Sequence, residues 1–139
     1  MSWDEIAALI NGTPPAHLAT ADGEGHPHVA VVAPVVDGPH LVFLTGARSA
    51  KIRDVRANPQ VAFVFEGNGA ETYVWGSAEV TEDVDAKRAL WSSGTLPYDP
   101  VGFFGSPENE SVVLVRVTPS RASAMRQGPD GPGRDTWSA

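Results

Sequence analysis

The 139-residue chain contains no cysteine. Disulfides, thiolate metal sites and cysteine nucleophiles are therefore excluded together. Basic residues are scarce, ten against 17 acidic ones, which gives a net charge of −7 and a pI near 4.9. Nucleic-acid binding needs a broad basic surface, so no nucleic-acid partner is expected. No apolar run approaches the roughly 20 residues of a membrane span. The start, Met1-Ser2-Trp3-Asp4-Glu5, lacks the basic opening of a signal peptide. These readings give the expectation of a soluble, cytoplasmic protein without a membrane partner. No Gly-x-Ser-x-Gly elbow, Walker loop, dinucleotide glycine fingerprint, His-Glu-x-x-His or internal repeat is present, so the common hydrolase, ATPase, Rossmann and zincin readings lack their parts.

What the chain does have is one concentration of positive charge. Arg48, Lys51, Arg53 and Arg56 fall within a single short stretch of an otherwise acidic sequence. That stretch follows an apolar strand signal, Leu41 to Leu44, and opens a helix that Asn58-Pro59 closes. Ser49 stands at the N-cap position, with Ala50 and Lys51 as the first helical residues. Free N–H groups, a hydroxyl and an ammonium would thus converge on a phosphate-sized site. Taken without context, the same residues also describe a capped surface helix whose outer face is solvated by Lys and Arg.

Around this turn the length fits one domain, and turn signals punctuate short apolar runs. Ser2-Trp3-Asp4-Glu5 is a capping box leading into Ile6, Leu9 and Ile10. Strands are predicted over Ala16 to Ala21, His28 to Val36, His40 to Thr45, Val61 to Glu66, Tyr73 to Val80 and Val112 to Val117, with a helix over Val84 to Ser93. Pro34 must lie at an edge or a bulge. The fold class that follows is mainly β: a six-stranded antiparallel barrel of Greek-key type with short flanking helices. Gly94 to Ser111 is too long for an ordinary connection. With Trp91 just before it and Tyr98, Phe103 and Phe104 within, it reads as a contact surface or as a plug for its own barrel. Residues 127–139 have the Gly/Pro composition of a mobile linker and are expected to be partly disordered unless Trp137 docks, giving a domain over 1–126 and a flexible tail. His26 and His28 lie on one face of an extended segment near Asp22 and Glu24. The spacing gives a metal site little support, because a turn entering a strand explains the same residues.

Thr45, Ser49 and Lys51 form T-x-x-x-S-x-K directly after an apolar strand, with Asn58-Pro59 before the next strand, Val61 to Phe65. In this setting the chain resembles the pyridoxamine 5′-phosphate oxidase-like, FMN-binding split-barrel family, over roughly His17 to Pro119. The resemblance implies that Thr45, Ser49 and Lys51 contact the riboflavin phosphate, with Ala50 beside them. It also implies that the backbone of His28, Val29, Ala30, Val31 and Val32 faces the flavin ring, and that Trp91, Phe103 and Phe104 reach the cofactor at a homodimer interface. It implies as well that Arg134 and Trp137 approach a flavin or substrate pocket. The departures are informative: family basic residues fall at Val29, Pro34 and Ala50, so the vitamin B6 reaction is not carried over and Arg48 is expected to take over a phosphate contact. The similarity is closer to general-stress-type flavoproteins and their deazaflavin-using relatives. The expected activity is oxidoreduction of a small molecule with FMN. The alternatives are a reductase using deazaflavin coenzyme F(420), a flavin- or haem-binding module without turnover, and a dimeric barrel that has lost its cofactor.

Overall fold

The computed structural model describes residues 1–139. Twelve elements follow in chain order: α1 (Trp3–Ile10), β1 (Ala16–Ala21), β2 (Pro27–Val32), β3 (Val35–Asp37), β4 (His40–Gly46), α2 (Ala50–Ala57), β5 (Gln60–Gly67), β6 (Ala70–Thr81), α3 (Val84–Ser92), α4 (Pro100–Phe104), β7 (Val112–Gly128) and β8 (Gly131–Ser138). All strands pair antiparallel in one sheet, ordered β2-β1-β5-β6-β7-β4-β3, and β8 also pairs with β7. The sheet is mainly β with few helices, the split-barrel class expected from the sequence.

The strand count is eight rather than six, for two local reasons. The stretch read as one strand from His28 to Val36 is divided into β2 and β3 at Ala33-Pro34. Proline has no N–H for the ladder, so the chain leaves the β1 edge there and rejoins the sheet on the far side, beside β4. These two edge strands face the split in the barrel. The second addition is β8. Residues 127–139, expected as a mobile linker, instead form the end of β7, a turn at Pro129-Asp130 and the strand β8, registered from Gly128↔Gly131 to Arg121↔Ser138. Gly131 takes a φ of +100° at that turn. Trp137 docks on Trp3 of α1, ring centroids 5.2 Å apart, and leaves the linker reading without its premise.

The long strand β7 joins the two halves of the barrel: β6 runs along most of it, β4 pairs with Val112 to Val117, and β8 with Arg121 to Gly128. The register shifts at Trp75/Gly76, where a Cβ on Gly76 would lie 2.5 Å from the Thr118 carbonyl oxygen. Only glycine allows the two backbones to approach this closely. Inside the barrel, Phe43 meets Phe63 edge-on at 6.3 Å and Phe63 lies 5.6 Å from Phe65, within a core of 19 buried residues that includes Ile6 and Ile10 of α1. The capping box is present in both directions, Glu5 N–H donating to Ser2 Oγ and Ser2 N–H to the Glu5 carboxylate.

Strand β4 reads as an unbroken apolar run because both its faces are covered. Leu41 and Phe43 point into the barrel, while Val42 and Leu44 pack with Leu90, Val112 and Leu114 under α3. The segment Gly94 to Ser111 is not wholly irregular, since it folds α4 with Asp99 capping Val101 N–H. Its far end is tied down by Lys87 of α3, only 2% exposed, whose ammonium donates to the carbonyls of Asn109 and Val112.

Candidate functional site

The turn between β4 and α2 starts from local chemistry. Ser49 is the N-cap of α2, but its side chain makes no capping bond and its Oγ donates instead to the Gly46 carbonyl, 2.9 Å away. This corrects the expectation of a side-chain cap. The hydroxyl closes the preceding turn, and the N–H groups of both Ile52 and Arg53 close on the Ser49 carbonyl. The N–H groups of Ala50 and Lys51 are left without an acceptor, as the first turn of a helix leaves them.

Lys51 extends from this turn into a cavity of about 270 Å³ bordered by Val31, Val32, Leu44, Thr45, Tyr98, Phe103 and Phe104, with Pro15 and Ala33 completing it. Val31 and Val32 point to opposite faces of β2, so the cavity lies against the strand's edge. That edge is the end of the sheet, and its backbone groups face no further strand. Lys51 makes no hydrogen bond or ion pair, and burial holds its ammonium below the ordinary lysine value of 10.5. The neighbouring Tyr98 phenol is pushed up by burial, so it enters the site as a neutral hydroxyl. An unpaired cation, two free N–H groups and three aromatic rings are the parts of a site for an anion attached to a flat, apolar body. A cavity of about 320 Å³ between Ile10, Leu41, Phe65 and Pro97 has no charged group in its lining.

Of the residues singled out in the sequence, the structure brings Val31, Val32, Thr45, Lys51, Phe103 and Phe104 together around this cavity. Phe103 is 73% exposed, while Phe104 turns inward against Trp91. Trp91 itself sits behind Phe104 with the α3 cluster and does not line the cavity. Arg48 and Ala50 are exposed at the turn, and Val29, 72% exposed, points from the outer face of the sheet. Ala30 faces inward but borders no part of the cavity. Arg134 donates to Ser123 Oγ, so neither it nor Trp137 reaches the cavity within one protomer. The two imidazoles diverge. His26 stays in the turn with Asp22 at 3.0 Å, whereas His28 Nδ1 lies 2.6 Å from Asp54 Oδ2.

The sequence reading assigns no role to Asp54 and places Tyr98 only in the aromatic contact segment, not in a binding site. Tyr98 was visible only as one aromatic in a long loop. Asp54 carried a usable signal: it is the acidic residue of a basic helix, three positions after Lys51 and flanked by the buried Ile52 and Val55. An acid on the buried side of a helix needs a partner from elsewhere.

Comparison with known proteins bears on the family and the fold. A family model described as pyridoxamine 5′-phosphate oxidase matches residues 2–126. A pyridoxine/pyridoxamine 5′-phosphate oxidase of Xylella fastidiosa is 32% identical over 137 residues, covering 86% of this chain. The match spans 61% of that relative's length. Among solved structures, General Stress Protein 26 of Bacillus anthracis superposes with a TM-score of 0.77 at 22% identity, covering 98% of this chain and 97% of that one. An F420 reductase superposes with a TM-score of 0.62 at 24% identity, covering 83% and 93%. At these identities the solved structures speak for the fold.

Proposed function

Because the chain belongs to the pyridoxamine 5′-phosphate oxidase family, a model of which spans residues 2–126, we propose that it is an FMN-binding oxidoreductase acting on a small molecule. The observation that carries this reading is Lys51, an ammonium drawn out of water with no counter-ion beside it. A phosphate there would accept from Lys51 Nζ and from the free N–H groups of Ala50 and Lys51, with Arg48 near enough along the turn to add charge. The apolar body of the cofactor would lie along the edge of β2 against Val31, Val32 and Phe104. Bound flavin supplies the two-electron chemistry; the protein supplies position, a dry wall and charge. The relative's oxidation of vitamin B6 phosphates is not part of the proposal, since Val29, Pro34 and Ala50 stand where the family resemblance expects basic residues, two for the flavin phosphate and one for the phosphate of the substrate.

The reading includes a homodimer. Across the outer face of the sheet, Val29, Ala19, Ala62 and Trp75 stand in register, as do Val31, His17, Val64 and Tyr73. Val31 is 63% exposed, and with Val29 and Phe103 it leaves apolar surface beside the cavity that a second copy would cover. The favoured cofactor is FMN, and a deazaflavin coenzyme is the second reading, because its acidic tail would also suit Arg48 and Lys51.

The deciding experiment is the absorbance spectrum of purified protein, followed by titration of cofactor-free protein with FMN, riboflavin and the deazaflavin coenzyme. FMN should bind more tightly than riboflavin by at least about tenfold, the worth of one charge-assisted hydrogen bond. A colourless protein that binds none of the three would overturn the proposal. Sedimentation should give twice the 14.7 kDa chain mass, and a monomer that still binds FMN tightly would remove the interface.

A further inference from the structure

One face of α2 carries two polar side chains that leave bulk water, Lys51 and Asp54. They stand three residues apart, so they share that face about 4.5 Å apart along the helix axis. Lys51 borders the cavity without a partner. Asp54 is the opposite case. Its side chain is 0% exposed, and one oxygen, Oδ2, accepts from Thr20 Oγ1 at 2.8 Å and lies 2.6 Å from His28 Nδ1. Thr20 of β1 and His28 of β2 stand directly opposite each other in the sheet. A single atom of α2 thus gathers both strands of the hairpin, one helical turn from Lys51. Further along β2, Val31 and Val32 border the same cavity as Lys51.

We propose that Asp54 is the positioning residue of the anion site: through Thr20 and His28 it fixes the roll of α2 against the β1 and β2 hairpin, and with it the direction in which Lys51 enters the cavity. Ile52 and Val55 also bury α2 in the core, but apolar packing is non-directional and sets depth more than angle. Hydrogen bonds have a preferred angle. Two contacts on one atom, from two strands, leave the helix little freedom to turn about its axis, and a long side chain such as Lys51 magnifies any turn at its tip. The energetics favour position over stability as the reason for the acid. Its second oxygen, Oδ1, is buried with no partner, and a buried polar group one partner short is costly where an apolar side chain is not. The inference rests on the flavin reading in one respect, that the group meeting Lys51 is the FMN phosphate. With the ring on the edge of β2 and the phosphate on α2, a change of roll separates the two halves of the site and penalises the phosphate alone.

The test uses the full chain. Thr20→Val combined with Asp54→Val removes the clamp and leaves neither side chain with a stranded polar atom. The chain has only two lysines, Lys51 and Lys87, so NMR of selectively labelled lysine follows Lys51 through a pH titration without ligand, with the Lys87 signal as internal reference. In the double variant the lowered Lys51 midpoint should return toward 10.5, because a side chain no longer aimed into the cavity reaches water. FMN affinity should fall about tenfold, the worth of one charge-assisted hydrogen bond, while riboflavin affinity changes by less than about twofold. Asp54→Asn keeps an oxygen that accepts from both partners, so it should leave the Lys51 midpoint in place and FMN affinity within about threefold of wild type. A folded double variant with the wild-type Lys51 midpoint and the wild-type ratio of FMN to riboflavin affinity overturns this inference, and so does an Asn variant as impaired as the double one. If the double variant does not fold, His28→Ala, which removes only the tie to β2 from a half-exposed side chain, should move both readouts in the same direction, and no movement overturns the inference. FMN that does not bind the wild type overturns the flavin reading, and the ligand-free Lys51 titration still decides the clamp.

Discussion

Two lysines leave bulk water in this fold, and only one of them finds acceptors. Lys87 is nearly inaccessible, yet its ammonium donates to the carbonyls of Asn109 and Val112 and ties the long aromatic segment to the start of β7. Lys51 is less deeply placed and has no partner at all, although burial lowers its affinity for the proton. Depth alone therefore does not separate a structural cation from a binding one. What separates them is whether the fold itself supplies the oxygen atoms. Lys87 completes the protein, whereas Lys51, in the function proposed above, is completed by a ligand taken from solution.

The largest effect that would sharpen this contrast is on stability. Lys87→Met keeps the apolar stem but strips two buried carbonyls of a charged donor, at about 1.5–3 kcal/mol for each bond. Urea unfolding should therefore register a loss of about 3–6 kcal/mol, and the Gly94 to Ser111 segment should become an early site of proteolysis. Lys51→Met should cost less than about 0.5 kcal/mol, or stabilise, because it removes a poorly solvated charge that had no partner. Equal losses for the two variants would dissolve the distinction.

The next effect is on ligand affinity. Lys51→Ala should weaken FMN binding by about ten- to a hundredfold, matching the 1.5–3 kcal/mol of a hydrogen bond to a charged group. Riboflavin, which has no phosphate, should hardly respond. If both ligands lose the same factor, the substitution has damaged the ring site or the fold rather than removed an anion contact.

A smaller effect, in pH, follows from the direction of the Lys51 shift. Its folded value lies below 10.5, so between the two values the unfolded chain binds more protons than the native one, and the free protein gains stability as pH rises through that window. Phosphate binding has the opposite preference, since it needs the ammonium. FMN affinity should fall as pH rises through the lowered Lys51 value, while riboflavin affinity stays level. Calorimetry in two buffers of different ionisation enthalpy should detect proton uptake with FMN only.

The same contrast explains what the sequence could disclose. The strand, turn and helix start that bring Thr45 and Lys51 to one cavity are legible because they are local, while the side-chain cap expected of Ser49 is replaced by a bond to the Gly46 carbonyl. Lys87 looked like any basic residue of a surface helix, because its carbonyl partners lie 22 and 25 positions away. Asp54 was hidden in the same way, with Thr20 and His28 arriving from a different hairpin. Strand β8 escaped for another reason. It is exposed along most of its length and held by the β7 backbone, so it needs no apolar alternation, and its glycines and prolines read as a linker.

The smallest effect concerns Ser49, which stands between the two cases because its hydroxyl already has an acceptor. Ser49 Oγ donates to the Gly46 carbonyl and caps nothing in α2. Ser49→Ala should thus cost only the net worth of one neutral hydrogen bond in a half-buried turn, about 0.5–1.5 kcal/mol, rather than expose the helix start. Its effect on FMN should be at most about threefold, or less than 1 kcal/mol, because a hydroxyl committed to the turn must give up that bond to meet a phosphate. Melting of the cofactor-free protein and FMN titration, measured side by side on this variant, decide between two states of the turn. A stability loss with nearly unchanged FMN affinity means the hydroxyl keeps its place when the ligand arrives. An affinity loss as large as that of Lys51→Ala, with melting unchanged, means the hydroxyl swings onto the phosphate, and the Gly46 bond is one the turn releases on binding.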